Sequence, residues 1–243
     1  MKSRAQLKQE VKQLFKGRWR SAILLCLVIS LVSILGITSQ AVDQYQKTAT
    51  SGGGGASSSF DPSLLVTFGI MAIVMAVVEL VIYLVVKLFR VGTSYSMLDW
   101  VRQPQREIHP VADSTIGFTK PYGWHVAGLA ILQAIWIGLW TLLLIVPGII
   151  KAYAYSQSYY IYKDMVAATP AGQPAPRVRD AVTRSRQLMR GHKFEYFVLQ
   201  LSFIGWGLLS GLTFGIGQLW LTPYYIGTMS NYYDNLVANS ATN

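Results

Sequence analysis

Charge is scarce in this sequence, and acid is scarcer than base. Charged side chains make up 13% of its 243 residues, about half the share of an ordinary soluble domain. A chain so poor in surface-forming residues does not read as a soluble globule. It carries one cysteine, Cys26, which excludes an intrachain disulfide and a cysteine metal centre. Cys26 falls inside an apolar block and reads as a small membrane-facing hydrophobe. The three histidines, His109, His125 and His192, are far apart in sequence and fall beside apolar blocks. No H-E-x-x-H, G-x-S-x-G, phosphate loop or G-x-G-x-x-G occurs. The expectation is therefore no catalytic residue, no metal and no cofactor.

What the sequence does have is apolar length. Hydrophobic residues reach 52% and come in blocks. Ser21 to Thr38 is uncharged, Leu64 to Val86 carries only Glu79, and Val126 to Ile150 carries no charge. The block from Tyr196 to Asn231 is also free of charge. Roughly 20 apolar residues cross a bilayer as a helix, because 1.5 Å per residue must cover ~30 Å of hydrocarbon. The blocks predict an all-α, polytopic membrane protein. Ser39-Gln40-Ala41 offers a small-x-small cleavage site, but the apolar stretch before it is long for a secretory leader and follows a basic segment.

The basic residues orient the blocks, since lysine and arginine near span ends stay cytoplasmic. Of the 21 lysines and arginines, 19 fall in segments 1–20, 87–125 and 163–193. Only Lys47 and Lys151 do not. The predicted topology is about six transmembrane helices as three hairpins, with the N-terminus cytoplasmic. Segment 1–20 is a basic amphipathic helix. Segment 21–89 is the first hairpin, with a flexible outer Gly/Ser loop at 40–62. Segment 90–125 is a cytoplasmic connector. Segment 126–163 is a hairpin turning at Pro147-Gly148, where proline removes a backbone donor and glycine relaxes the chain. Segment 164–193 is a linker plus a second basic amphipathic helix, and 194–243 is the third hairpin and tail. Its turn falls within 207–217, although Gly207, Gly211 and Gly215 also form a small-xxx-small ladder that would suit helix packing. The positive charge tracks span ends, so nucleic acid is not the expected partner.

Three stretches share a pattern of a glycine near an aromatic residue, followed by an apolar run: around Gly17, Gly123 and Gly191. The closest match is Gln13-Leu14-Phe15-Lys16-Gly17 against Gln187-Leu188-Met189-Arg190-Gly191. Leu7, Val11, Leu14 and Phe15 share one helical face, as do Val178, Val182, Ser185, Leu188 and Met189. Ser3 and Gln6 have capping-box spacing. These features predict repeated units of interfacial helix, glycine bend and hairpin. The polar faces carry Arg179, Arg184, Arg186, Arg190 and Lys193, placed to meet anionic lipid at the cytoplasmic leaflet.

Polar residues inside the blocks are the candidate site. Glu79 is costly in a bilayer and needs protein or a cavity beside it. Gln133, Ser156, Gln157, Tyr159 and Tyr160 fall at matching depth. The set reads either as a protonatable transport site or as packing, and the tyrosines either as an interface girdle or a ligand groove. Lys151 lies about one turn past Pro147-Gly148 and would snorkel to the outer surface.

The stretches "LWTLLLIVPGIIKAYAYSQSYYIYKD", "SRQLMRGHKFEYFVLQLSFIGW" and "LTFGIGQLWLTPYY" resemble a family of bacterial integral membrane proteins labelled domain of unknown function nine-seven-five. The resemblance covers about 90–235 and implies a fold of about six helices in a bacterial cell membrane, with no assigned activity. Two functions fit the residues. The first is a non-enzymatic module that binds lipid or a membrane protein partner, in envelope homeostasis or peptide resistance. The second is a small permease-like transporter that uses Glu79 in a polar cavity.

Overall fold

The computed structural model describes residues 2–33, 62–170 and 172–240, so nearly all of the predicted Gly/Ser loop lies outside the described residues. Among these residues there is no strand.

Helix α1, Arg4–Phe15, starts at the predicted capping box. The Ser3 N–H donates to Gln6 Oε1 at 2.8 Å, and the Gln6 N–H donates to Ser3 Oγ at 3.3 Å. Its residues Leu7, Val11 and Phe15, four apart, are buried. Gly17 then turns the chain with φ +78°, a region open to glycine at little cost. Helix α2 is Trp19–Leu25, and α3 covers 27–33. Helix α4, Pro62–Arg102, has 41 residues and is about 60 Å long at 1.5 Å per residue. A short helix α5, Pro110–Ser114, and a 3-10 turn at Ile116–Phe118 lead to α6, Gly123–Leu143. The chain continues through α7, Ile145–Tyr155, α8, Ser158–Ala167, and α9, Val178–Leu188. It ends with α10, Lys193–Leu201, α11, Ile204–Leu212, and α12, Gln218–Ser240.

Among the described residues, two helical stretches are long and apolar enough to cross a membrane: Gly69–Arg102 in α4 and Gly123–Leu143, which is α6. The other apolar blocks break into shorter helices at Cys26, Ser156-Gln157 and Ser202-Phe203. At two of these breaks a serine hydroxyl donates to the carbonyl three residues back, competing with the helical ladder. These are Ser156 to Tyr153 O at 2.8 Å and Ser202 to Leu199 O at 2.5 Å. Among the described residues, then, two helices rather than six run unbroken over a membrane's thickness.

The α6–α7 reversal lies at Leu144, whose backbone is extended, rather than at Pro147-Gly148. Pro147 falls in the first turn of α7, where its missing N–H costs nothing. Gly148 instead lets the two helices touch, since a Cβ there would collide with Thr141. The third reversal is at 213–217, where Phe214 and Gly215 have φ of 51° and 84°. Gly207 and Gly211 face open space, so no glycine ladder packs there.

The core draws on α1, α2, α8, α9, α10 and α12 and, unexpectedly, on the predicted connector. Segment 90–102 completes α4 and buries Val91, Tyr95, Met97, Leu98 and Trp100. Here α4 meets the 3-10 turn backbone to backbone: a Cβ on Gly92 would lie 2.5 Å from Ser114 O, and one on Gly117 would run into Leu88 O. Helix α12 buries Ile226 and Tyr233 in clusters with segment 90–102, and Met229, Tyr232 and Leu236 in a cluster with Leu7, Met189 and Tyr196. Cys26 is fully buried beside Phe15 and Trp100, which corrects its expected outward-facing position. Conversely, Ile70, Ile73, Val77 and Val81 on α4, the α6–α7 tip at Leu142 to Val146, and Leu208 and Leu212 on α11 are all exposed.

Candidate functional site

The predicted polar set divides. Gln133, Ser156, Tyr159 and Tyr160 line one cavity of about 320 Å³ among α4, α6, α7, α8, α10 and α12. The break after α7 makes it, because it frees backbone carbonyls and turns polar side chains inward. Gln133 Nε2 donates to the freed Tyr155 O at 3.1 Å. Tyr160 and Ser230 share a hydroxyl hydrogen bond of 3.2 Å. Gln157 is fully buried beside the break and donates to Ser156 Oγ at 2.9 Å, but it does not line the cavity.

Glu79 is not part of this group. It lies on the exposed half of α4 and lines none of the cavities described here. Eleven residues separate it from Arg90, roughly 16 Å along the helix, so it shares a face with the cavity but not its depth. Equating depth with sequence distance from the span's outer end placed it wrongly, because α4 runs well past its neighbours.

Sequence reasoning missed the cavity's cations. Lys87, Arg90 and Ser94 line it from α4, at spacings of three and four that put them on one face. The signal lies in that spacing, which counting basic residues for topology does not use.

The remaining cations fall into two populations. One is tied into the fold. Arg102 grips Asp164 with two guanidinium nitrogens at 2.7 and 2.9 Å and Asp234 with Nε at 2.8 Å. Tyr233 Oη donates to Asp164 at 2.7 Å. Lys163 bridges Asp99 and Tyr95 O, and Arg106 bridges Asp99 and Asp113. Arg18 donates to Pro104 O and Arg106 O and stacks 4.8 Å over Trp100. Helix α1 is docked in the same manner. Lys8 Nζ donates to Ser202 Oγ at 2.6 Å and lies 4.1 Å from the Phe203 ring centre, and burial pushes its ammonium down. Glu10 accepts from Lys2 at 2.7 Å and from Asn231 at 2.9 Å. Burial opposes its ionisation, but these bonds prevail and hold its carboxyl below the usual range.

The second population is free. Arg179, Arg184, Arg186 and Arg190 are exposed, Lys193 is half-buried, and none forms an ion pair among the described residues. Ala181, Val182 and Ser185, on the opposite face of α9, are buried, and Ser185 Oγ donates to Ala154 O at 2.8 Å. Arg179 and Arg186 flank a groove of about 260 Å³ with Trp136. Lys151 is half-buried, its Nζ 4.6 Å from the Trp140 ring centre. Of the predicted bends, Gly17 and Gly191 have matching φ of 78° and 81°, whereas Gly123 simply opens α6. No group of three metal-ligating side chains occurs among the described residues.

A family model described as "Protein of unknown function (DUF975)" matches residues 1–170 and 131–240. No curated protein and no solved structure matches the chain.

Proposed function

The chain belongs to the DUF975 family of proteins of unknown function, and from that premise we propose that it is a non-enzymatic, multi-pass module of the bacterial cell membrane that binds anionic lipid. The N-terminus and the basic face of α9 lie at the cytoplasmic leaflet, and its role is in envelope homeostasis or peptide resistance, alone or beside a membrane protein partner. The observation that carries this reading is the contrast between the two cation populations. Arg102, Arg106 and Lys163 are neutralised by aspartates. The α9 arginines have no such partner, although the helix is fixed by its buried face. A rigid, unpaired basic face next to exposed apolar helices matches a bilayer's chemistry, where each such residue near an anionic surface is worth ~1 kcal/mol. Glu79 stands outside the polar cavity, which favours this reading over a transporter that uses that carboxylate.

Two measurements test this. Alkaline carbonate should leave the protein in the membrane pellet, and its release would end the membrane reading. In bilayers mixing phosphatidylglycerol and phosphatidylcholine, spin-labelled phosphatidylglycerol should be enriched around the wild type. Changing Arg179, Arg184, Arg186 and Arg190 together to Gln should bring that enrichment toward none, and an unchanged enrichment would sink the role given to α9.

A further inference from the structure

We propose that the cavity lined by Lys87 and Arg90 binds the phosphate of a lipid head group, with the lipid's chain lying in an adjoining apolar cavity. The inference rests on the membrane reading above, since the ligand comes from a bilayer, and it assigns a specific site where that reading assigned a surface.

Lys87 and Arg90 project one helical turn apart into a space whose lining contains no carboxylate. Neither forms an ion pair among the described residues. Elsewhere in this fold, cations held between helices are matched by aspartates, as Arg102 and Lys163 are. Lys87 is half-buried and Arg90 exposed; two like charges side by side on one cavity wall repel one another and favour a shared anion. The cavity also supplies a neutral donor. Tyr159 lines it, and its hydroxyl is buried without a hydrogen-bond partner. Two cations and an idle hydroxyl suit an anion with several oxygens, such as a phosphate ester, better than a single carboxylate.

The second cavity makes the ligand an amphiphile. It has about 420 Å³ and shares Arg90, Gln200, Tyr225 and Ile226 with the first. Beyond Arg90 its walls are largely apolar, including Ile29, Phe197, Leu201, Phe203, Ile204 and Leu221. Arg90 therefore stands where a polar chamber opens into an apolar one, the arrangement a head group and chain require. Both volumes fall within the range of small-molecule sites, ~300–1,000 Å³. A choline head would bring a third cation toward Lys87 and Arg90, so the site discriminates against zwitterionic lipid.

The test is calorimetric titration of the full chain in non-ionic detergent with short-chain phosphatidylglycerol, short-chain phosphatidylcholine and inorganic phosphate. Phosphatidylglycerol should bind at least tenfold more tightly than either of the others. Arg90→Gln and Lys87→Gln should each weaken it about tenfold, equivalent to ~1.4 kcal/mol. Tyr159→Phe, which keeps the ring, should weaken it several-fold. The fourfold α9 variant should bind as the wild type does, separating this site from the basic surface. Unchanged binding in Lys87→Gln and Tyr159→Phe would overturn the proposal even if Arg90→Gln did not fold. Inorganic phosphate matching the lipid would overturn it in favour of a free-anion site. Because the protein is already solubilised, failure here is distinct from failure of the carbonate test.

Discussion

Arg102→Lys should destabilise the protein although it preserves the charge. Arg102 joins the end of α4 to α8 and α12 through three contacts, two to Asp164 and one to Asp234. Lysine offers a point charge where arginine offers a planar fork, so it cannot keep both carboxylates in register. Hydrogen bonds to charged groups contribute about 1.5–3 kcal/mol each when desolvated. Here the three side chains are 33, 30 and 38% exposed, and solvent screening reduces that strongly. A loss of about 1–2 kcal/mol is the reasoned expectation, between a surface pair at ~0–1 kcal/mol and a fully buried one at ~3–5 kcal/mol. For a chain of this size that corresponds to roughly 3–6 °C in Tm. The molecule carries its own reporter: Cys26 is the only cysteine and is fully buried, so labelling by a thiol-reactive dye tracks unfolding. A double-mutant cycle with Asp234→Asn should show coupling, because lysine abandons one carboxylate. A Tm within about 1 °C of wild type would refute the argument and reduce the cluster to an ordinary surface ion pair.

Other outcomes follow from the same contacts. Gly117→Ala should cost about 1–3 kcal/mol, because its Cβ would meet the Leu88 carbonyl rather than a side chain that can move. Gly69→Ala in the exposed half of α4 meets nothing within 4 Å and should be neutral in the same dye assay. Gly191→Ala also has open space around it, but its φ is +81°, so a backbone cost of ~1–2 kcal/mol should appear there alone. Acidification should loosen α1. Glu10 has a depressed folded pKa, so its contribution is complete above the usual carboxylate range and fades as pH falls through its lowered value. Hydrogen exchange of residues 4–15 should accelerate over that interval in the wild type, and Glu10→Gln should remove the pH dependence.

Local features were legible from the residues themselves. The Ser3/Gln6 capping box and the α9 stripe of Val182 and Ser185 depend on neighbours within a turn or two, where spacing decides the outcome. The polar character of the segment around Ser156 and Tyr160 was legible for the same reason. The chain's own composition also determined its helical class and its apolar, base-rich balance. Which polar residues meet was another matter. Glu79 and Gln133 look equivalent along the chain, yet only Gln133 enters the cavity, because α4 outruns α6 and leaves Glu79 uncovered. Asp164 and Asp234 converge on Arg102 from 62 and 132 residues away. Lys87 and Arg90 became a candidate binding pair once α8, α10 and α12 completed a cavity beside them without an acid. Periodicity tells a helix which face to bury, but pairing between helices depends on where each one ends and what crosses it, and only the packed structure settles that.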